Sequence, residues 1–113
     1  MSDCLFCKIR DGAIPAKITY RDDDAIAFTD ISPQAPFHEL VIPTRHIVSV
    51  ATAAPADQAL LGKLALVAAE RGRASGFADG FRVVMNSGPA AGQSVHHLHM
   101  HVLAGRALAW PPG

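Results

Sequence analysis

Cysteine is scarce in this 113-residue chain: there are only 2, too few for a disulfide framework, so a reducing compartment, the cytoplasm, is the expected location. An excess of charge of either sign is missing too. The 10 basic and 10 acidic side chains cancel, so no bulk field draws the protein to a nucleic-acid backbone or an anionic membrane, and neither is expected as a partner. No apolar run approaches the ~20 residues that span a bilayer. Met1-Ser2-Asp3-Cys4 lacks the charged segment and apolar core of a secretory leader. No repeat, low-complexity tract or linker divides the chain, and half of it would be too small to bury a core, so 1–113 is read as one domain.

Against these absences, regular elements are legible. Lys17–Tyr20 and Ala25–Thr29 read as paired strands around the turn Asp22-Asp23-Asp24, a run too short and isolated to count as a metal site. The Pro-rich loop 30–36 leads to a strand Glu39–Ile42, which Pro43 is expected to stop. Between Pro55 and Arg73, residues Leu60, Leu61, Leu64, Val67 and Ala68 recur at helical spacing, with Arg71 and Arg73 in the last turn and Gly76 as the stop. Phe81–Met85 and His97–Leu103 complete the strands. Strands with one long helix in this order imply an α+β layout, an antiparallel sheet with the helix on one face.

Histidine is what the chain has in excess: 6 residues, four of them between His96 and His101. As a strand, His97–Leu103 turns Leu98, Met100 and Val102 to one face and His97, His99 and His101 to the other. Strand geometry spaces such imidazoles roughly 7 Å apart. Three histidines at period two opposite an apolar stripe seldom serve packing alone. They can share a displacement reaction, or they can form a tri-histidine metal site with a metal-bound water. His96 falls outside the pattern and receives no role. Ahead of the strand, Gly92-Gln93-Ser94 is small enough for a ligand to approach its backbone, and beside the histidines it reads as a phosphate cradle.

The pair Cys4 and Cys7 has the spacing of two thiolates on one metal, of a redox pair, or of two buried thiols. The βαβ setting of a redox pair is missing, and a zinc site would need two more ligands, for which His46 and His97 are the candidates.

Residues 92–103, with His97, His99 and His101 separated by apolar residues, resemble the signature of the histidine triad superfamily. Ile14–Lys17, the loop 30–36, Leu40–Pro43 and the terminal Trp110–Gly113 extend the match over nearly the whole chain and resemble the nucleotide-binding branch of purine nucleoside phosphoramidases. The resemblance implies a five-stranded antiparallel sheet, one long helix, a short N-terminal helix and a two-fold dimer. It makes His99 the nucleophile that attacks the α-phosphorus of a nucleoside 5′-phosphoramidate, His101 the phosphate contact, Ser94 the group near the leaving amine, and His38 the histidine that orients the triad. Asp30 matches the ribose-binding acid, Ile31 would pack on the purine, and Ile9, Phe28 and Leu40 would line its pocket or simply be core. Asn86, Gly92 and Gln93 match positions around an AMP-like ligand's phosphate. Phe37 departs from the small or polar residue expected beside His38. Trp110 resembles a residue placed near the partner subunit's site.

Some members of the superfamily hold zinc through two cysteines, the histidine after the proline strand and the first triad histidine. Cys4, Cys7, His46 and His97 fill those positions, which implies a closed structural zinc, while the chemistry itself requires no metal. Two neighbouring readings are a dinucleoside polyphosphate hydrolase and a nucleotide-binding interaction module with incidental hydrolysis. A tri-histidine metal hydrolase is the third.

Overall fold

The fold, a computed structural model describing residues 3–113, is an antiparallel five-stranded sheet with helices of unequal length on its two faces. The elements run α1 (Leu5–Arg10), β1 (Ile18–Arg21), β2 (Ala25–Thr29), β3 (Phe37–Pro43), α2 (Gln58–Ala74), β4 (Phe81–Val84) and β5 (Met100–Ala104). In space the strands lie in the order β1-β2-β3-β5-β4, so β3 and β5 are central neighbours although some 56 residues separate their ends (Met100 less Pro43 leaves 56 between them). Among the described residues no helix is long and apolar enough to cross a membrane.

Alternation along the strands sorts two apolar cores onto the two faces. Ala25 and Ala27 of β2, Val41 of β3, and Met100 and Val102 of β5 meet Leu64, Val67 and Ala68 of α2. Leu98 joins this core from just ahead of β5. Ile26, Phe28, Leu40 and Ile42 face the other way and pack under Phe6 and Ile9 of α1. Six residues of helix cannot cover a whole sheet face, and the part that α1 leaves bare carries His38 of β3 and His101 of β5.

A buried ion pair ties the large helix to the sheet. Glu39 of β3 takes two hydrogen bonds from the Arg71 guanidinium, at 2.8 and 3.1 Å, and a third from the Thr19 hydroxyl at 2.9 Å. Such a pair adds little over an apolar contact, but removing one partner strands the other charge, which costs about 3–5 kcal/mol. Gly72 lets α2 come close to β4: a Cβ there would lie 2.5 Å from the Phe81 ring.

The elements depart from the sequence reading at their ends. The first turn expected of α2 is a separate 3₁₀ turn, Pro55–Asp57, in which the Asp57 carboxylate accepts the Ala54 N–H. Pro43 is the last residue of β3 and pairs with Ala25, because a terminal strand position needs no ladder donor. Phe37 points to the α2 side and packs on that core, away from the histidines. The departure that matters for chemistry is β5, which begins at Met100 and not at His97. His97 and His99 therefore lie on irregular backbone ahead of the sheet.

Candidate active site and metal centre

The three histidines at period two do not form a row. His99 and His101 lie together, ring centroids 5.0 Å apart and inclined at 66°. His97 turns its ring into a different cluster, against His46 at 4.9 Å. The tri-histidine metal site considered from sequence is therefore not assembled. What replaces the row is a set of imidazoles whose proton positions are assigned by backbone groups, which can act only as donors or only as acceptors.

His38 sits diagonally across the β3–β5 ladder from His101, since Leu40 pairs with His101 and His38 with Leu103. Its Nδ1 accepts the Gln34 N–H at 3.0 Å, so its proton is on Nε2. That Nε2–H donates to His101 Nδ1 at 2.9 Å, with the Asp30 carboxylate 3.4 Å away. His101 must then carry its own proton on Nε2. His99 is fixed in the opposite sense: its Nδ1–H donates to the His97 carbonyl at 2.7 Å, which leaves a bare lone pair on Nε2. Two adjacent rings thus present complementary groups, a nucleophilic nitrogen on His99 and an N–H donor on His101.

Burial keeps these rings neutral. It holds His99 below the ordinary histidine value, against the hydrogen bond to the His97 carbonyl, which favours the charged form. It pushes His101 down to about 4, aided by the neighbouring His99 and His38 and opposed by Asp30. Burial lowers His38 too, with Asp30 again opposing. An unprotonated imidazole is the form that can attack.

Asp30 itself is held in place: one carboxylate oxygen accepts the Ser32 N–H at 2.8 Å and the other faces His38. Ile31, beside it, is 93% exposed. Phe28, Leu40 and Ile9 are buried together below.

The loop ahead of β5 turns two of the N–H groups expected of a phosphate cradle inward. The Gly92 N–H donates to the Pro89 carbonyl and the Gln93 N–H to the Gly88 carbonyl, so neither points outward. The Gln93 amide is spent as well: its NH₂ donates to the Val48 and Val95 carbonyls and its oxygen accepts the Gly88 N–H. Gln93 therefore braces the loop. Gly92 holds a left-handed turn at φ +96°, with Asn86 at its back. Ser94 is exposed and lines a hollow of about 610 Å³ together with Cys4, His46 and His96.

The residue that sequence reasoning passed over is Phe6. Its ring packs perpendicular to His99 at 5.0 Å and edge-on to His97 at 5.9 Å and Phe28 at 5.5 Å. The i, i+3 spacing of Phe6 and Ile9 on a helix beginning at Leu5 was the available signal.

Cys4, Cys7, His46 and His97 converge as the spacing suggested. His97 Nε2–H donates to the Pro43 carbonyl at 2.9 Å, leaving Nδ1 as a lone pair toward the cluster. That nitrogen lies 3.3 Å from Cys4 Sγ, 3.5 Å from Cys7 Sγ and 3.1 Å from His46 Nδ1, and His46 Nδ1 lies 3.4 Å from Cys7 Sγ. A tetrahedral zinc with bonds of about 2.3 Å to sulfur and about 2.0–2.1 Å to nitrogen sets its donors about 3.3–3.8 Å apart, so the residues fit the ion. A second convergence, Asp30 with His38 and His101, lacks this property. The Gln34 N–H obliges His38 to keep its proton on the nitrogen that a metal would need.

Comparison with known proteins agrees with this geometry. The HIT domain profile matches residues 11–108. The chain belongs to the HIT family. An uncharacterized HIT-like protein of Synechococcus elongatus is 50% identical over 111 residues, 98% of this chain and 97% of that one. The structure of a HIT family hydrolase from Legionella pneumophila superposes with a TM-score of 0.95 at 43% identity, covering 98% of this chain and all (100%) of its own. A zinc-bound histidine triad family protein from Mycobacterium smegmatis does so at 0.84 and 35%, covering 92% of this chain and 76% of its own. These likenesses support hydrolase chemistry for the HIT chain in general.

Two outcomes follow from the HIT site. Elemental analysis of protein purified without chelator should find about one zinc per chain, and Cys7→Ser should lower that ratio severalfold; full loss of zinc on His38→Asn instead would relocate the metal. The second concerns pH. With His101 at about 4 when folded and about 6.5 when unfolded, the unfolded chain binds the extra proton between those values, so stability falls as pH drops through that window. The urea midpoint should therefore be lower at pH 5 than at pH 7, and His101→Gln should flatten the difference; an unchanged slope would contradict the assignment.

Proposed function

We propose that this HIT protein is a purine nucleoside phosphoramidase, cleaving the P–N bond of nucleoside 5′-phosphoramidates through a covalent nucleotidyl-His99 intermediate, with adenosine preferred. The observation that carries the reading is the pairing of a bare Nε2 on His99 with an Nε2–H on His101.

The chemistry follows from those two nitrogens. His99 Nε2 forms a bond to the α-phosphorus as the P–N bond breaks, and the departing nitrogen leaves as the amine with a proton taken from solvent, which the attacking water gives back in the second step. Ser94, an exposed residue five positions before His99, would hold that amine. Negative charge on the phosphate oxygens meets the His101 N–H, backed by His38. Positive charge arising on the His99 ring is shared through Nδ1–H with the His97 carbonyl. Water then breaks the P–Nε2 bond, releasing the nucleoside monophosphate and restoring the neutral ring. Asp30 would receive the ribose hydroxyls through its two acceptor oxygens and Ile31 would close on the base. A bound zinc would be closed by four protein ligands and serve as scaffold; every step above belongs to side chains. Thiolate ligands suit a reducing compartment, in keeping with the cytoplasm.

A two-fold dimer is part of the proposal. The edge strand β4 has one side unpaired and exposes Phe81 and Val83, with Leu66 of α2 also exposed. Arg82 holds the tail against this edge by donating to the Leu108 and Ala109 carbonyls, and Trp110 remains 82% exposed there. A hollow of about 750 Å³ opens beside it, between the α2–β4 turn and residues 105–108. An unpaired apolar edge invites a second strand.

Sedimentation should return twice the 11.9 kDa chain mass, and Val83→Lys should return the single mass; a monomer at micromolar concentration would remove the dimer from the reading. For the reaction, brief incubation with adenosine phosphoramidate and denaturing mass spectrometry should show a nucleotidyl adduct on His99. His99→Ala should bind AMP and lose at least about 10³-fold in turnover; near-normal turnover of that variant would refute the mechanism. Tight AMP retention with negligible wild-type turnover would favour a binding module instead.

A further inference from the structure

The hydrogen bond to the His97 carbonyl fixes which nitrogen of His99 is bare, but not where that nitrogen points. A ring tethered at Nδ1 alone can still swing about the tether and carry Nε2 away from an in-line approach to phosphorus. Two ring contacts resist the swing: His101 at 5.0 Å and 66°, and Phe6 at 5.0 Å and 90°. His101 is occupied with the phosphate. Phe6 is 4% exposed and has no polar group to offer the reaction.

Phe6 owes its own position to its neighbours in sequence. It lies on a helix of six residues, a length with little stability of its own. The helix is closed at its start by Cys4, whose sulfur accepts the Cys7 N–H at 3.3 Å. Cys4 and Cys7 bracket Phe6, and both sulfurs converge on His97 Nδ1, two residues before His99. The Phe6 ring also touches the His97 ring at 5.9 Å. One compact unit therefore joins the cluster of four ligands to the face of the nucleophile.

We propose that Phe6 is a positioning residue for His99, and that the metal centre formed by Cys4, Cys7, His46 and His97 holds Phe6 against the imidazole. The proposal rests on the reading of His99 as nucleophile. It gives the metal centre a part in catalysis without contact with substrate: the ion clamps α1, α1 aims Phe6, and Phe6 limits the swing of His99.

The test uses full-length, zinc-loaded protein. Phe6→Leu removes the ring and keeps an apolar side chain, while Phe6→Tyr keeps the ring; Phe6→Met replaces the Leu variant if its melt shows that it does not fold. With adenosine phosphoramidate, Phe6→Leu should lose about tenfold in kcat with KM within about twofold, as small misplacements of reacting groups do. Phe6→Tyr should recover at least about threefold of that loss. Independently of turnover, the His99 ring resonance in ¹H–¹³C spectra, recognised by its disappearance in His99→Gln, should move in Phe6→Leu as the neighbouring ring current is lost. In Cys4→Ser, zinc content should fall and the same resonance should move in the same direction. A rise in KM at unchanged kcat would reduce Phe6 to a wall of the base pocket and overturn the proposal, as would a His99 resonance that stays in place in Phe6→Leu. A resonance unmoved in zinc-depleted Cys4→Ser would overturn the role of the metal centre. Absence of a His99 adduct in the wild type would refute the functional reading, and the resonance shifts would still decide the role of Phe6.

Discussion

The hydrogen bond from His99 Nδ1–H to the His97 carbonyl is the contact on which the site depends. A carbonyl can only accept, so it selects one of the two neutral forms of the imidazole and leaves the other nitrogen bare. It is available because β5 starts at Met100. Had the strand begun at His97, as simple alternation implies, that carbonyl would have been a candidate for the β-ladder, and His99 would have been free to take either form. Late strand entry is therefore what leaves the His97 carbonyl to orient His99, and not a fraying of the sheet.

The same logic repeats around the cluster. Gln34 N–H sets His38, His38 sets His101, and the Pro43 carbonyl sets His97. Burial pushes His38, His99 and His101 below the ordinary histidine range, so all three are neutral where the fold is stable. A chain with no net charge loses nothing by this. The anionic ligand proposed for it would meet directed N–H groups instead of a long-range field, which suits a small ligand better than a polymer.

Much of this was readable before any coordinates. Strand-forming runs bounded by turns, the alternation of residues 97–103 and the leucine spacing of α2 made the sheet and the helix legible, but not the division into two cores. The cysteine spacing, with His46 and His97 as the added ligands, anticipated the four-ligand cluster. What alternation could not reveal was the point at which β5 begins, since that depends on where the ladder with β3 ends. Nor could it show how Gln93 is held. Its amide accepts the Gly88 N–H within the loop and donates to the Val48 and Val95 carbonyls, which ties the loop to a distant segment. Phe6 was hidden because its partner, His99, is distant in sequence and belongs to another element.

The assignment of protons by main-chain groups has a consequence for anyone who would move this site to another scaffold. Grafting the histidines at matched Cβ positions would copy the side chains and omit the instructions. The host would have to supply an N–H where Gln34 stands and outward-facing carbonyls where Pro43 and His97 stand, each at hydrogen-bond distance from the intended ring. The transferable unit is thus a short stretch of irregular backbone with three histidines attached, and a designer who regularised that backbone into a longer strand would erase the function while improving the sheet.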